Sequence, residues 1–304
     1  MLVAFGMIAA SCSNESVNDV ENAVENVRVP VTVNVSDFSV SQEEFPSGPT
    51  RIGAARGITR AAADPATYDG VKALTLAFFA GDGTEAFKTT QTKGALEEGE
   101  TFGEFTLSLP MGNYTMVVIG HGLNDGEPAV TLTSPTEATF GEYPARETFA
   151  TTQTVNIAST SAVNLSATLD RIIAKLRVVS TDGRTANAAN VRMTMSAGGK
   201  SFNPTTGLAI TNGGFSNAVN ISAAAGSTSS SISYLFLTTD EQTMDVTIET
   251  LDEDGAVLFS KTVNNVPFKR NRVTNLTGTM YTNNSVSGAF QVETEWLSDY
   301  NGTF

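Results

Sequence analysis

From Val27 the chain reads Val-Arg-Val-Pro-Val-Thr-Val-Asn-Val, which puts Val27, Val29, Val31, Val33 and Val35 on one face of an extended backbone. Strict two-residue alternation predicts a strand over 27–40. Pro30 falls on the opposite face, and a residue without a ladder donor predicts an edge strand. The phase breaks at Ser36-Asp37 and resumes on the other parity at Phe38 and Val40, as a bulge would produce. Residues 45–69 then lose all pattern. They carry Pro46, Gly48, Pro49, Gly53, Gly57 and Pro65, with Arg51, Arg56 and Arg60 spaced among them. That composition predicts an exposed loop, and loops of this length usually serve a function or are disordered.

Short alternating runs with turn signals between them fill the rest of the chain. Leu74, Leu76 and Phe78 make one, Phe105, Leu107 and Leu109 another, and Tyr114, Met116 and Val118 a third. Further runs cover 155–157, 163–169, 232–237, 244–251, 257–263, 273–280 and 289–296. Asp182-Gly183, Asn212-Gly213 and Asp254-Gly255 read as hairpin turns. Ile172, Ile173, Leu176 and Val179 also fit helical spacing, but they continue the preceding alternation and are read as one long strand. Many short strands with regular turns predict sandwiches. The fold class is therefore all-β, with two antiparallel β-sandwich domains in tandem over 27–160 and 161–304. The small, polar stretch 158–162 is the expected boundary.

Composition sharpens this. The 304 residues suit two sandwiches better than one, and 40% apolar residues can fill both cores. Charged residues make up only 16%, too few for a fold of amphipathic helices. The net charge of −14 repels a polyanion, so no nucleic-acid partner is expected. Cys12 is the one cysteine, so no intramolecular disulfide is possible. It directly follows the short apolar run Met1–Ala10 and Ser11. That run is too short to span a membrane and suits the core of a secretory signal. Ala9-Ala10-Ser11-Cys12 is similar to a bacterial lipobox, which implies a thioether-linked lipid on Cys12. Residues 13–26 are polar and acidic and read as a tether, so 1–26 form a signal and tether unit.

Catalytic chemistry is thinly represented. His121, between Gly120 and Gly122, is the one histidine, and it reads as a strand-end residue rather than a triad base. One Cys and one His exclude a zinc site of the usual kind. Asp252-Glu253-Asp254-Gly255 lacks the spacing of a calcium loop and reads as an acidic turn. Gly198-Gly199-Lys200-Ser201 lacks the first glycine of a phosphate loop. Glu97, Glu98, Glu100 and Glu104 could supply a carboxylate pair for glycoside hydrolysis, but such a cluster in a loop is more often a solvated face. The expectation is a protein that is not an enzyme and needs no cofactor or metal.

The lipobox-like start, the valine strand, the arginine-bearing loop and the C-terminal alternating strand together resemble the fimbrillin family, the pilin subunits of Bacteroidetes-type fimbriae (type V pili). Local likenesses are Leu169-Asp170-Arg171-Ile172-Ile173-Ala174-Lys175-Leu176-Arg177-Val178, Asn271-Arg272-Val273-Thr274-Asn275-Leu276-Thr277-Gly278, and a last strand ending at Trp296. The resemblance implies transthyretin-like, Greek-key sandwiches and export as a palmitate-bearing lipoprotein to the outer membrane and cell surface. It implies an arginine-specific protease as partner, cutting at Arg51, Arg56 or Arg60; of these Arg60 is preferred, because it lies closest to the next strand and is followed by small residues. It implies that the first strand (27–40, with Val27, Val29, Val31, Val33 and Val35) is removable. A neighbouring fimbrial subunit would refill its place with a strand such as Phe290, Val292, Thr294 and Trp296, from the C-terminal segment 286–304. A lipid-anchored adhesin or glycan-binding module that never polymerises, or a fimbrial anchor or tip subunit, fits the same residues.

Overall fold

The computed structural model describes residues 27–41, 60–64, 66–282 and 291–296. Among them are twenty strands and no helix. The first half of the chain contributes β1 (Arg28–Ser41), β2 (Arg60–Ala63), β3 (Ala73–Ala80), β4 (Glu85–Thr92), β5 (Glu104–Pro110) and β6 (Gly112–His121). It continues through β7 (Thr131–Ser134), β8 (Glu137–Thr139), β9 (Thr148–Ile157), β10 (Val163–Arg171) and β11 (Ala174–Ser180). There follow β12 (Asn190–Met195), β13 (Ser201–Asn203), β14 (Leu208–Ala209), β15 (Phe215–Asn220) and β16 (Ser230–Leu235). The last described strands are β17 (Glu241–Leu251), β18 (Val257–Lys269), β19 (Arg272–Gly278) and β20 (Gln291–Trp296).

Four sheets result among the described residues. The largest runs β2-β1-β10-β9-β6-β3-β4, with β5 also paired to β1. Two more run β16-β11-β19-β20 and β15-β12-β17-β18, and a small one runs β14-β13-β8-β7. Period-two burial explains these assignments. Along β11 and β12 buried and half-buried positions alternate without a break, the signature of strands with one face on a core.

The buried side chains sort into three clusters. In the first, Val29, Val31, Val33, Leu107 and Leu109 from β1 and β5 meet Leu74, Leu76, Phe78, Met116 and Val118 from β3 and β6. The second joins Leu176, Val178 and Leu276 of one sheet to Val191, Met193, Val246 and Ile248 of another. The third draws on both halves of the chain. Phe79, Val117 and Ile119 pack with Leu132, Ala138 and Phe140, and with Phe202 and Phe236 from far along the sequence. The small sheet is shared in the same way, since β13 pairs with β8 through Ser201 and Thr139.

Several expectations change here. The stretch 158–162 is not a boundary. It joins β9 to β10, and β10 lies between β1 and β9 in the largest sheet. The chain leaves that sheet at Ile172-Ile173, where both side chains enter the third cluster, so the long strand expected across 163–179 is two strands in two sheets. Asp182-Gly183 and Asn212-Gly213 join strands of different sheets and are not hairpin turns, whereas Asp254-Gly255 does turn β17 into β18. The phase break at Ser36-Asp37 is a register shift between Val35 and Asp37, as the alternation predicts.

Candidate functional site

β1 is not an edge strand. It runs parallel to β10 from Val31↔Val163 to Ser39↔Asp170, and antiparallel to β5 from Arg28↔Pro110 to Asn34↔Glu104. Pro30 is accommodated because its β10 flank is open: the β10 ladder begins one residue later, at Val31. Val29, Val31, Val33 and Val35 are at most 5% exposed, while Val27 precedes the strand and is exposed. Burying four valines contributes roughly 6–12 kcal/mol as an upper estimate. Loss of β1 would uncover an apolar slot with two unpaired walls.

Among the described residues the wall formed by β5 has no other ladder, since β1 is its one strand partner there. Its two ends are tied by side chains instead. At the start, the buried Gln91 of β4 accepts from the N–H of Gly103 (2.8 Å) and donates to the carbonyls of Glu104 (2.8 Å) and Thr101 (3.3 Å). Gly103 holds φ at +94°, a conformation other residues rarely adopt. Its carbonyl accepts from Val35 N–H at 2.8 Å. At the far end, the Tyr114 hydroxyl donates to the Pro110 carbonyl at 2.9 Å.

The segment after β1 is only partly a loop. Arg51 and Arg56 lie outside the described residues, as does Cys12. Arg60 opens β2 and pairs with Ser41 at the rim of the largest sheet, so the expected loop 45–69 includes a strand. A turn follows in which Asp64 Oδ1 accepts from Ala66 N–H. Tyr68 then enters a buried cluster that sequence reading did not assemble. Its hydroxyl donates to Glu147 (2.8 Å) and accepts from Arg171 Nη2 (3.1 Å). Arg171 Nε lies 2.8 Å from the Glu147 carboxylate, Nη1 donates to Asn271 Oδ1 at 3.1 Å, and the guanidinium sits 4.9 Å from the Phe149 ring centre. Burial, then the Glu147 charge, push the Tyr68 hydroxyl well above its ordinary range and keep it a neutral donor. The two family-like segments around Arg171 and Asn271 are thus joined by this hydrogen bond, by Asn271 N–H donating to the Ile173 carbonyl, and by the parallel ladder of β11 and β19 that begins at Lys175↔Val273.

Late in the sequence, β20 pairs antiparallel with β19 from Arg272↔Trp296 to Thr277↔Gln291. Val292, Thr294 and Trp296 therefore lie in the last strand of their own sheet, and Phe290 lies outside the described residues. The exit from β19 is fastened by Asp182, whose carboxylate accepts from the N–H groups of Met280, Tyr281 and Thr282 at 2.8–2.9 Å. Burial works against its charge, but these donors outweigh burial and hold it below the ordinary carboxylate range.

The other chemical candidates have structural roles. His121 is fully buried, with Nδ1 2.6 Å from the Gly122 carbonyl and Nε2 accepting from Val130 N–H at 3.1 Å. Both ring nitrogens are occupied by backbone. Lys200 donates to the Glu142 carbonyl, and Glu100 accepts from Glu97 N–H within its own turn. Asp252 closes the β17–β18 turn through Ala256 N–H.

A family profile described as "Family of unknown function (DUF6562)" matches residues 31–303. No curated protein sequence matches the chain. Among solved structures it is similar to a candidate adhesin from Bacteroides ovatus, at 11% identity over 85% of this chain and 88% of that one, with a TM-score of 0.49. A second candidate adhesin from Bacteroides ovatus is 13% identical over 90% and 96%, also at 0.49. The fimbrial anchor protein Mfa2 from Porphyromonas gingivalis is 13% identical over 88% and 97%, at 0.46. At TM-scores below 0.5 these likenesses carry no argument about partners or activity.

Proposed function

The chain belongs to the DUF6562 family, a family without an assigned function, and for it we propose the role of a structural subunit of a cell-surface fimbria, assembled by exchange of β1 for a strand of a neighbouring subunit. The observation that carries this reading is the seat of β1. It is the first described strand, it fills a slot between β5 and β10, and it supplies four buried valines. An arginine-bearing stretch joins it to the rest of the chain. Ladders to β10, β5 and β2 and an apolar floor make the slot a strong acceptor for an alternating strand, which is strand complementation. The same three ladders oppose spontaneous release, so cleavage at Arg51, Arg56 or Arg60 frees β1 to leave only as a partner strand displaces it.

In this reading Cys12 carries the lipid that holds the subunit at the outer membrane, and an arginine-specific protease and other fimbrial subunits are its partners. The donor is the strand of Phe290, Val292, Thr294 and Trp296. The first and second clusters are the cores of two sandwiched domains, with the crossing between them at Ile172-Ile173. One observation favours a second reading, a lipid-anchored adhesin that stays monomeric: β20 already completes the sheet of its own chain.

Limited trypsin treatment of the full chain separates the two. A cut within 51–60 followed by oligomers on gel filtration, lost on deleting 286–304, is the outcome expected of the fimbrial subunit. A cut chain that stays monomeric and binds glycans would establish the adhesin instead.

A further inference from the structure

We propose that Gln91 is the positioning residue that keeps the β5 wall in place when β1 leaves, so that the emptied slot stays open for the incoming strand. The inference rests on the strand-exchange reading and adds a residue to it. The difficulty it resolves is geometric. Among the described residues β5 pairs with β1 and with no other strand, so departure of β1 strips every ladder bond described from Glu104 to Pro110. A strand held only by its apolar face would slide or collapse onto β10, and a collapsed slot takes no partner.

The side chain of Gln91 meets this need without touching β1. It reaches from β4, on the opposite wall of the first core, and its amide holds Gly103 N–H, Glu104 O and Thr101 O at once. These groups are the first residues of β5 and the turn before it, and Gln91 is only 6% exposed. An amide is required, because one group must accept at Oε1 while donating at Nε2. Tyr114 fixes the other end at Pro110. Between the two ties lies Glu104–Pro110, the same stretch that pairs with Arg28–Asn34. The wall is suspended at its ends with its ladder groups turned to the slot.

The test compares wild type with Gln91→Leu, each as the full chain, intact and after a trypsin cut within 51–60. The probe is a labelled synthetic peptide of residues 27–41, added in excess to displace the cut strand. Wild type should take up the peptide after cutting. The cut Gln91→Leu chain should take up at least ten-fold less at the same concentration, while the intact variant keeps wild-type amide-exchange protection at Phe105, Leu107 and Leu109. Tyr114→Phe, which keeps the ring and loses the tie, should lower uptake in the same direction. Equal uptake by the cut wild type and Gln91→Leu chains would overturn the role of Gln91 and leave strand exchange standing. Loss of β5 protection in the intact variant would overturn it too, by showing an ordinary folding contact. A cut wild type that never accepts the peptide would remove strand exchange itself, and the inference with it.

Discussion

His121 shows how a single side chain sets a pH limit. Its Nε2 accepts from Val130 N–H, so a proton there would place a donor against a donor. Burial, together with the Arg146 charge, holds its folded pKa below the ordinary value, against the opposing pull of the Gly122 carbonyl. The unfolded chain takes up that proton near pH ~6.5. Below that pH the unfolded state binds more protons than the folded one, so this contribution is complete above ~6.5 and is lost as pH falls toward the folded pKa. Arg146 is itself paired with Glu127, whose folded pKa is also lowered, so the carboxylate share of acid sensitivity appears at lower pH. Urea midpoints should therefore drop between pH 7.5 and 5.5, and His121→Gln should flatten that drop. The sequence reading placed His121 at a strand end, where it is. Its total burial was not legible, because Gly120 and Gly122 suggest an exposed turn, and the Phe140 ring that packs on it at 5.4 Å lies nineteen residues away.

Between elements, Asn271 is the point where the largest sheet meets the second core. It turns β18 into β19 with φ at +58°. Its N–H donates to the Ile173 carbonyl at 3.0 Å, and its side chain accepts from Arg171. Asn271→Ala should cost about 2–4 kcal/mol, the sum of a charged hydrogen bond and left-handed strain. Asn271→Gly should recover about 1 kcal/mol of that by relieving the strain alone, and denaturant midpoints of the three chains read the difference. Alternation in the sequence found most of the strands, including the bulge after Val35, because burial on one face imprints a period of two. It could not say which strands are neighbours. For that reason β1 reads as an edge from Pro30 alone, Asp182-Gly183 reads as a hairpin, and the roles of Gln91 and Asp182, whose partners lie 10–13 and about 100 residues away, left no trace in any local window.

At the scale of the whole molecule, the two halves are joined by more than a linker. Phe202 and Phe236 stack at 4.1 Å and pack with Phe140 from the first half, in a core that also holds Phe79 and Ile119. Heat should therefore unfold the wild-type chain in one transition, with calorimetric and van't Hoff enthalpies in agreement. Phe236→Ala should cost about 3–5 kcal/mol and split that transition in two. A tandem arrangement read from sequence does not foresee this, since single phenylalanines scattered along the chain do not announce which half they will meet. The seat of β1 has one more consequence. An occupant of that slot runs with β10 and against β5, and a reversed strand would have to rebuild both ladders. If neighbours fill it as proposed above, each joint points the same way as the last, and a row of such molecules would have a head and a tail, grow by one rule at each, and carry a direction along its length that begins with the valines near its front.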